Sequence, residues 1–402
     1  MKNMSTRLFV PPFGIQKTYI ATTNVGSLNK LYDIDKPSFS NLCGAGTGLD
    51  KQKAIDLSVF EAIERLSNTI CSVNVIIDTY NNLKNKCYNM EKFPQVADYE
   101  NSFNLPFVPD NVTGWVETLN LCDAKNYLIP QSYVFLNNEP SFLGDRITNP
   151  ISTGVALHDS YIEAVISGIY EVVERDGIAL TWLLGNVNYC VNHIFTDFEN
   201  IFSTDFLGEV NYYDVSTVEG IITICAHAKS YHSNKVKNVL MFVSDVDIQN
   251  IKKKLFKELI SVMSSFANGK EFNDDTDFTH FTSVEQSGAF MALSKNDSNF
   301  DFLKDIPNAL NKEYPIFKFS TKKDELAYLK KIISNLGYDI LVIDITSREA
   351  KSKNYKVVKV IIPQLQPISF VYSSRYLSSK RLSDYMKKLG IKEINNMPLA
   401  FS

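Results

Sequence analysis

Two long segments of the chain combine the periodicity of an amphipathic helix with one shared charged pattern. They cover roughly residues 50–73 and 159–184, and in both segments apolar side chains recur at spacings of three and four. The shared pattern is Glu-x-x-Glu-Arg, at Glu61, Glu64 and Arg65 in the first segment and at Glu171, Glu174 and Arg175 in the second. Residues three and four apart share one face of a helix, so each segment presents two carboxylates beside a guanidinium.

Short apolar runs rich in β-branched residues follow the second helix and predict strands. These runs are Ile221–Ala226, Val239–Val243, Ile340–Ile343 and Val357–Ile362. Two more helices are predicted at roughly residues 249–266 and 322–336, and Gly44–Gly48 is typical of a turn-rich loop that leads into the first helix. Strands that alternate with helices predict an α/β domain or a mixed α/β (α+β) domain.

The paired carboxylates allow two interpretations. Glu and Arg at these spacings are common on solvated helix faces, where each pair contributes only about 0.2–0.5 kcal/mol. Alternatively, the helices bring four carboxylates together, which would repel one another unless divalent cations lie between them. Mg²⁺ suits such a site, because it prefers carboxylate oxygens and keeps further positions for water and phosphate. Glu163 belongs to the same edge of the second helix, since eleven positions turn it to within roughly 20° of Glu174.

The sequence lacks the usual phosphate-binding loops. No Gly-x-x-x-x-Gly-Lys-Ser/Thr motif occurs, and Gly44–Gly48 has no Lys of the P-loop kind. Leu49 stands where a dinucleotide-binding loop would need its third Gly. A triphosphate would therefore be held through metal ions on the paired carboxylates.

Cys225 and His227 lie two apart, which favours a buried strand pair over a metal site because no partner pair exists.

Composition argues against several classes of protein. The formal net charge of −4 argues against nucleic acid as a main partner. No apolar stretch approaches the roughly 18 residues of a transmembrane helix, and Pro11 and Pro12 interrupt the apolar residues near the start. The six cysteines are scattered without a Cys-x-x-Cys pair, which predicts reduced thiols and a cytoplasmic protein.

In their wider context these motifs resemble those of the YcaO family. Gly44-Ala45-Gly46, followed by the first Glu-x-x-Glu-Arg, resembles the first nucleotide motif of that family. Residues 149–156, Glu163-Ala164 and the run from Glu171 to Asp176 resemble its second motif. The resemblance continues in order through Trp115–Glu117, Asp344–Thr346, Val360–Pro363 and Lys380–Leu382.

The resemblance implies a YcaO-type fold, in which mixed β-sheets are packed by helices, with an ATP and Mg²⁺ site between the two Glu-x-x-Glu-Arg helices. The domain would span residues 41–402, after an N-terminal segment at residues 1–40, and would end in a short tail at residues 396–402. Carried over by position, the metal ligands would be Glu61, Glu64, Glu171 and Glu174. The nucleotide contacts would be Gly46, Arg65, Glu163, Arg175 and Glu258.

Three features depart from the usual pattern of the family. Leu57 occupies the place of a Ser that often precedes the first Glu by four residues, and Ser58 follows one position later. In the third motif, Ser261 and Ser265 stand where a Gln and an Arg are expected. The tail holds one proline, Pro398, whereas azoline-forming members often end in a proline-rich tail that enters the active site.

The activity that the resemblance implies is ATP-dependent peptide cyclodehydration, as in the D proteins of thiazole/oxazole-modified microcins and in bacteriocin biosynthesis. A Cys, Ser or Thr of a ribosomal precursor peptide attacks the preceding amide carbonyl, ATP phosphorylates the oxyanion, and phosphate leaves to give a thiazoline or oxazoline. The carboxylate of Ser402 is expected to act as the base, with His158 as the alternative. Thioamide or amidine formation, and a non-catalytic scaffold role, stay open as alternatives.

The resemblance also implies partners. Members with little beyond the YcaO domain often rely on a ThiF-like or leader-peptide-recognition protein to bring the precursor peptide. A flavin dehydrogenase is a further expected partner. We expect a homodimer or a larger complex, with neither nucleic acid nor a membrane as partner.

Overall fold

In the described residues of the computed structural model, three β-sheets have helices packed on them. The structure describes residues 4–11, 18–26, 42–100, 102–136, 141–196, 208–268, 272–273, 276–314 and 316–401. The strands are β1 (Ser5–Phe9), β2 (Tyr19–Asn24), β3 (Cys43–Gly48), β4 (Ile76–Thr79), β5 (Val112–Asn120), β6 (Lys125–Pro130), β7 (Val155–His158), β8 (Tyr189–Cys190), β9 (Glu209–Asp214), β10 (Ile222–Lys229), β11 (Asn238–Asp245), β12 (Leu341–Asp344) and β13 (Lys356–Ile361). The α-helices are α1 (Lys51–Thr69), α2 (Tyr80–Leu83), α3 (Tyr161–Leu184), α4 (Ile248–Ala267), α5 (Val284–Met291), α6 (Lys322–Asn335), α7 (Arg348–Lys351) and α8 (Lys380–Leu389).

The first sheet consists of β1, β2 and β3, all antiparallel, and α1 packs on it. A Cβ at Gly46 would lie 2.3 Å from the carbonyl oxygen of Ala54, and a Cβ at Gly44 would lie 2.3 Å from that of Ser58. The two glycines therefore let the backbone of β3 touch the backbone of α1. The expectation of a turn-rich loop at Gly44–Gly48 is wrong, because this segment is strand β3 and its glycines serve helix packing.

The second sheet has the strand order β4-β5-β12-β13-β7, and β6 also pairs with β5. Its ladders are antiparallel, and it combines strands from both ends of the chain. β13 lies between β12 and β7, with Val155 opposite Lys359. α3 packs against β13 and β7, so the helix with the second Glu-x-x-Glu-Arg pattern rests on this sheet.

The third sheet has the order β11-β10-β9-β8, again antiparallel. α4 packs against β11, and α3 reaches β10 and β11 as well as the second sheet. Every residue of α3 from Asp176 to Leu184 is buried. α3 is therefore a central helix that joins the second sheet to the third.

A buried ion pair connects the end of the chain to α3. Arg381 of α8 donates from Nε to Asp176 Oδ1 at 3.0 Å and from Nη2 to Asp176 Oδ2 at 2.6 Å. The backbone N–H of Gln366 donates to the same carboxylate at 2.7 Å. Asp176 directly follows Arg175, so these bonds fix the part of α3 that carries the charged pattern.

The four helices and four strands that the sequence predicted form within a few residues of their expected bounds. α1 begins after Asp50, whose side chain accepts a hydrogen bond from the N–H of Lys53, as an N-cap does. The four predicted strands correspond to β10, β11, β12 and β13. Cys225 and His227 are both buried on β10, which confirms a strand pair. The mixed α/β fold with sheets packed by helices is confirmed. The expectation of mixed sheets is wrong, because the ladders between the strands of each sheet are antiparallel.

Candidate metal and nucleotide site

The first pair of carboxylates is held by backbone N–H groups of two different strands. Glu61 Oε2 accepts a hydrogen bond from the N–H of Ala45 on β3 at 2.7 Å. Glu64 Oε2 accepts one from the N–H of Leu157 on β7 at 2.8 Å. α1 thus places one carboxylate at the first sheet and the other at the second sheet.

The second pair is held in the same way. Glu171 Oε2 accepts a hydrogen bond at 3.1 Å from the N–H of Gly154, directly before β7. Glu174 Oε2 accepts one at 3.1 Å from the N–H of Ser244 on β11. The four carboxylates therefore lie where strands of all three sheets meet α1 and α3, and each is oriented by the backbone before any ligand binds.

The carboxylates are close enough for their charges to interact, and Glu258 of α4 joins them. Burial raises the pKa of Glu64 well above its usual value, and the charges of Glu171 and Glu61 raise it further. Burial raises the pKa of Glu174 to about 7, with further contributions from Glu171 and Glu258. Burial and then the charge of Glu61 raise the pKa of Glu258. Each of these five carboxylates interacts with the charges of two others. We call the set the carboxylate ring; its members are Glu61, Glu64, Glu171, Glu174 and Glu258.

The side chains of the carboxylate ring are half-buried or exposed and do not belong to the core. Glu64 and Glu174 are half-buried and Glu258 is exposed, yet the surrounding protein raises the pKa of all three. Solvent therefore reaches the carboxylates although they are only partly hydrated. Carboxylate oxygens are the ligands that Mg²⁺ prefers, and a divalent cation would offset their repulsion. The donor set fits magnesium.

Two guanidinium groups border the ring. Arg65 Nη2 lies 2.6 Å from Glu61 Oε1, and Arg175 Nη2 lies 3.3 Å from Glu171 Oε1. Half of the Arg65 side chain is exposed (49%), which leaves it accessible to a ligand. Arg175 Nε has no hydrogen-bond partner among the described residues. Both arginines can contact phosphate oxygens while they orient a carboxylate.

Sequence reasoning missed two lysines near the ring. Burial lowers the pKa of Lys257 and the charge of Lys53 lowers it further, whereas the charge of Glu258 raises it, so Lys53 and Glu258 both lie near Lys257. Lysines at the border of a carboxylate site are candidates for contact with a bound triphosphate. The available signal was weak, because Lys257 belongs to a charged stretch of α4 and Lys53 to the first turn of α1.

A third lysine was also missed, and it lies deeper. Lys359 of β13 is 2% exposed, and its Nζ donates a hydrogen bond to the carbonyl oxygen of Ile151 at 2.6 Å. Burial lowers its pKa to about 7, against an opposing effect of Glu171. A Lys inside the apolar run Val357–Ile362 was the sequence signal for a buried charge.

Two of the residues predicted to contact the nucleotide, Glu163 and Gly46, lie outside the carboxylate ring and contact other parts of the protein. Glu163 lies two turns before Glu171, about 12 Å along α3, and its Oε2 is 3.3 Å from His158 Nδ1. His158, Asp159 and Glu163 form a separate group whose ligand atoms lie within 4.8 Å of one another. Gly46 packs against α1 and thereby positions the helix that carries Glu61.

The departures from the family pattern have definite positions. Ser58 is buried, and its Oγ lies 2.7 Å from Thr23 Oγ1 on β2, so it belongs to the packing of α1. On α4, Ser261 is half-buried and Ser265 is exposed. Ser402, the expected base, lies outside the described residues.

Comparison with a family profile shows to which protein family the chain belongs. The profile described as YcaO cyclodehydratase, ATP- and Mg²⁺-binding, matches residues 45–366. The chain belongs to the YcaO family. The YcaO match includes all five residues of the carboxylate ring, and the family's description confirms ATP and Mg²⁺ as the cofactors.

Solved YcaO structures share the fold. A heterocyclase in complex with substrate and cofactor superposes with a TM-score of 0.74 at 17% identity, over 99% of this chain and 55% of that one. YcaO from Methanopyrus kandleri, bound with AMPPCP and Mg²⁺, gives 0.62 at 14% identity, over 90% and 86%. The E. coli microcin synthetase complex McbBCD with pro-MccB17 gives 0.62 at 14% identity, over 99% and 96%.

The extent of these matches differs. This YcaO chain spans about half the length of the first heterocyclase (55%). No curated protein sequence matches the chain. Among the described residues, no helix has both the length and the apolar character that crossing a membrane requires.

Proposed function

We propose that this YcaO protein is an ATP-dependent cyclodehydratase that converts Cys, Ser or Thr of a ribosomal precursor peptide into thiazoline or oxazoline. The carboxylate ring carries this proposal. Its five members come from α1, α3 and α4, four of them are oriented by backbone N–H groups, and three have raised pKa values. These features are typical of a site for metal-bound phosphates and not of an ordinary solvated helix face.

The proposed reaction balances as follows. The side-chain nucleophile bonds to the carbonyl carbon of the preceding residue and gives its proton to a base. The amide oxygen then accepts the γ-phosphoryl group of ATP, and ADP is released. Phosphate departs together with that oxygen, and the amide nitrogen loses its proton to form the C=N bond. Peptide and ATP thus give azoline, ADP and phosphate, and the peptide has lost one water.

The protein's own residues supply position and charge. When bound, magnesium and ATP supply the phosphoryl group and neutralise the carboxylate ring. Glu61, Glu64, Glu171 and Glu174 would hold the metal ions, Arg65 and Arg175 would contact phosphate oxygens, and Glu258 would contact the nucleotide. Fixed backbone N–H groups hold the carboxylates in place, so little reorganisation accompanies binding.

The C-terminal tail supports a role for Ser402 as the base. Ala400 and Phe401 are buried, at 5% and 2% exposure, so this segment is docked on the rest of the protein. Trp182 Nε1 donates a hydrogen bond to the carbonyl oxygen of Met397 at 3.2 Å. The docked tail reaches Arg175, whose Cζ lies 4.6 Å from the ring centroid of Phe401. We propose the carboxylate of the next residue, Ser402, as the proton acceptor.

Partners follow from the same proposal. We propose a precursor peptide as substrate, a ThiF-like or leader-recognition protein that delivers it, a flavin dehydrogenase that acts on the product, and a homodimer or larger complex. Similar structures include a heterocyclase with its substrate and the McbBCD complex with pro-MccB17, which supports this view. The six cysteines are free, which supports a cytoplasmic site of action. We further propose residues 41–402 as one YcaO domain.

The test uses the full chain with magnesium, ATP and the short peptides encoded beside its gene, with and without the neighbouring proteins. We expect ATP hydrolysis that a peptide stimulates and a peptide product that has lost one water. The chain alone should act slowly or not at all. Exchange of oxygen for sulfur would instead show thioamide formation, and no peptide-stimulated hydrolysis in any mixture would show a scaffold.

A further inference from the structure

A cavity of about 90 Å³ lies beside the carboxylate ring, between α3, β13 and the segment that precedes β7. Asn149, Arg175 and Lys359 contribute polar groups to its lining. The rest of the wall, which includes Ile361, is mainly apolar. Roughly 10–15 Å³ of such space holds one water molecule. The cavity therefore has room for a small ligand or for one unit of a peptide chain.

The polar groups that line the cavity are hydrogen-bond donors with unused capacity. Lys359 Nζ has one acceptor, the carbonyl oxygen of Ile151, whereas an ammonium group can donate three hydrogen bonds. Asn149 Nδ2 and Arg175 Nε are buried atoms with no partner among the described residues. Buried donors without acceptors are costly. A ligand that offers acceptor oxygens would satisfy them.

The position of the cavity connects it to the proposed chemistry. Arg175 lines the cavity and also bonds Glu171, a member of the carboxylate ring. Val172, which directly follows Glu171, forms part of the same lining. A group inside the cavity would therefore lie next to phosphate held by the ring. In phosphoryl transfer the accepting oxygen, the γ-phosphorus and the leaving oxygen lie roughly in line.

We propose that this cavity is the acceptor subsite for the peptide, in which Asn149, Arg175 and Lys359 donate hydrogen bonds to the backbone carbonyl oxygen that is phosphorylated. This inference rests on the proposed cyclodehydratase function and adds the residues that select an amide. The three donors stabilise the negative charge that develops on the oxygen when the nucleophile attacks, as in an oxyanion hole. The apolar wall holds the side chain of the residue before the nucleophile.

The test measures nucleotide and peptide binding separately. AMPPCP with Mg²⁺ is titrated by calorimetry, and N-acetyl-leucyl-cysteine N-methylamide is titrated by saturation-transfer NMR with and without that nucleotide. Asn149→Ala should weaken dipeptide binding about tenfold, the effect of one lost hydrogen bond to a buried group. Ile361→Trp should abolish dipeptide binding by filling the cavity. Both should bind AMPPCP within about threefold of the unsubstituted protein.

Ile332→Trp is the matched control, because Ile332 of α6 is also half-buried but does not line the cavity. It should leave dipeptide binding unchanged, and Lys359→Arg should keep more dipeptide binding than Lys359→Met. Equal dipeptide affinity in the unsubstituted protein and Ile361→Trp would overturn the subsite, as would nucleotide binding without any dipeptide signal. Dipeptide binding without nucleotide binding would instead overturn the proposed function and leave the cavity as a peptide site.

Discussion

The aromatic ring of Phe401 lies over the guanidinium of Arg175, with 4.6 Å between Arg175 Cζ and the ring centroid. The same ring meets Phe242 of β11 edge-on at a centroid distance of 5.9 Å. A cation–π contact of this kind contributes about 0.5–2 kcal/mol, depending on how dry it is. The tail is thus part of the wall around the site, and it holds an arginine that also bonds Glu171.

Removal of the tail should separate nucleotide binding from peptide chemistry. Deletion of residues 398–402 removes Phe401 and the proposed base at Ser402 but leaves the carboxylate ring intact. We expect ATP binding largely unchanged and peptide cyclisation reduced at least about a hundredfold, the lower end of general-base contributions. Calorimetry and mass spectrometry of the peptide measure the two quantities.

Phe401→Leu is the control for the tail, because it keeps both an apolar anchor and Ser402. It should retain most of the cyclisation rate and lose some stability. A truncated protein that cyclises its peptide at nearly the full rate would remove the tail from the mechanism.

Glu61→Gln and Glu174→Gln should each abolish binding of magnesium and ATP without unfolding the protein. Loss of a partner outside the first coordination sphere already costs 10–100-fold in metal affinity, so loss of a ligand should cost more than about a hundredfold. The metal-free variants should be at least as stable as the unsubstituted protein, since one repelling charge is gone. Calorimetric titration and thermal unfolding test both points, with the exposed Glu219→Gln as control. Unchanged affinity in both variants would exclude the assignment.

The carboxylate ring also predicts how stability varies with pH in the metal-free protein. The pKa of Glu174 is raised to about 7, and that of an unfolded Glu is about 4.3. Between these values the folded protein binds more protons than the unfolded chain, so the free energy of unfolding falls as pH rises. Melting temperatures in EDTA should therefore fall more steeply from pH 5 to about pH 7 in the unsubstituted protein than in Glu174→Gln. Parallel curves would contradict the raised pKa.

Gly46→Ala should destabilise the protein through packing rather than through lost ligand contact. The new Cβ would lie 2.3 Å from the Ala54 carbonyl oxygen and 2.4 Å from the Ser58 nitrogen, so α1 must move. We expect a loss of about 1–3 kcal/mol in the free energy of unfolding, together with weaker nucleotide binding because α1 carries Glu61 and Glu64. Gly48→Ala is the matched control, since its nearest contact would be 3.2 Å. Equal stability losses at Gly46 and Gly48 would argue against this account.

The sequence predicted those parts of the fold that depend on local pattern. α1 and α3 follow from apolar periodicity, and the strands β10 to β13 follow from short β-branched runs. The grouping of Glu61, Glu64 and Glu171 followed from their spacing and from the family resemblance, and the structure brings these side chains together.

Other features depend on contacts between distant residues, which local pattern does not contain. The glycines of β3 suggested a turn, because a close approach of two backbones and a turn both select glycine. The N–H groups that hold the carboxylates come from Ala45, Leu157, Gly154 and Ser244, and none of these side chains is distinctive. The contact between Phe401 and Arg175 joins two segments that only the complete fold brings together.

The position of β13 between β12 and β7 has a consequence for synthesis on the ribosome. Val155 of β7 pairs with Lys359 of β13, so at 5–20 residues per second β7 waits roughly 10–40 s for its neighbour. During that time the nascent chain exposes an unpaired strand edge and an apolar helix, the features that recruit chaperones and promote aggregation. A product of premature termination before β13 would therefore be both inert and prone to aggregate. Translation speed through the second half of the message should influence the yield of folded enzyme.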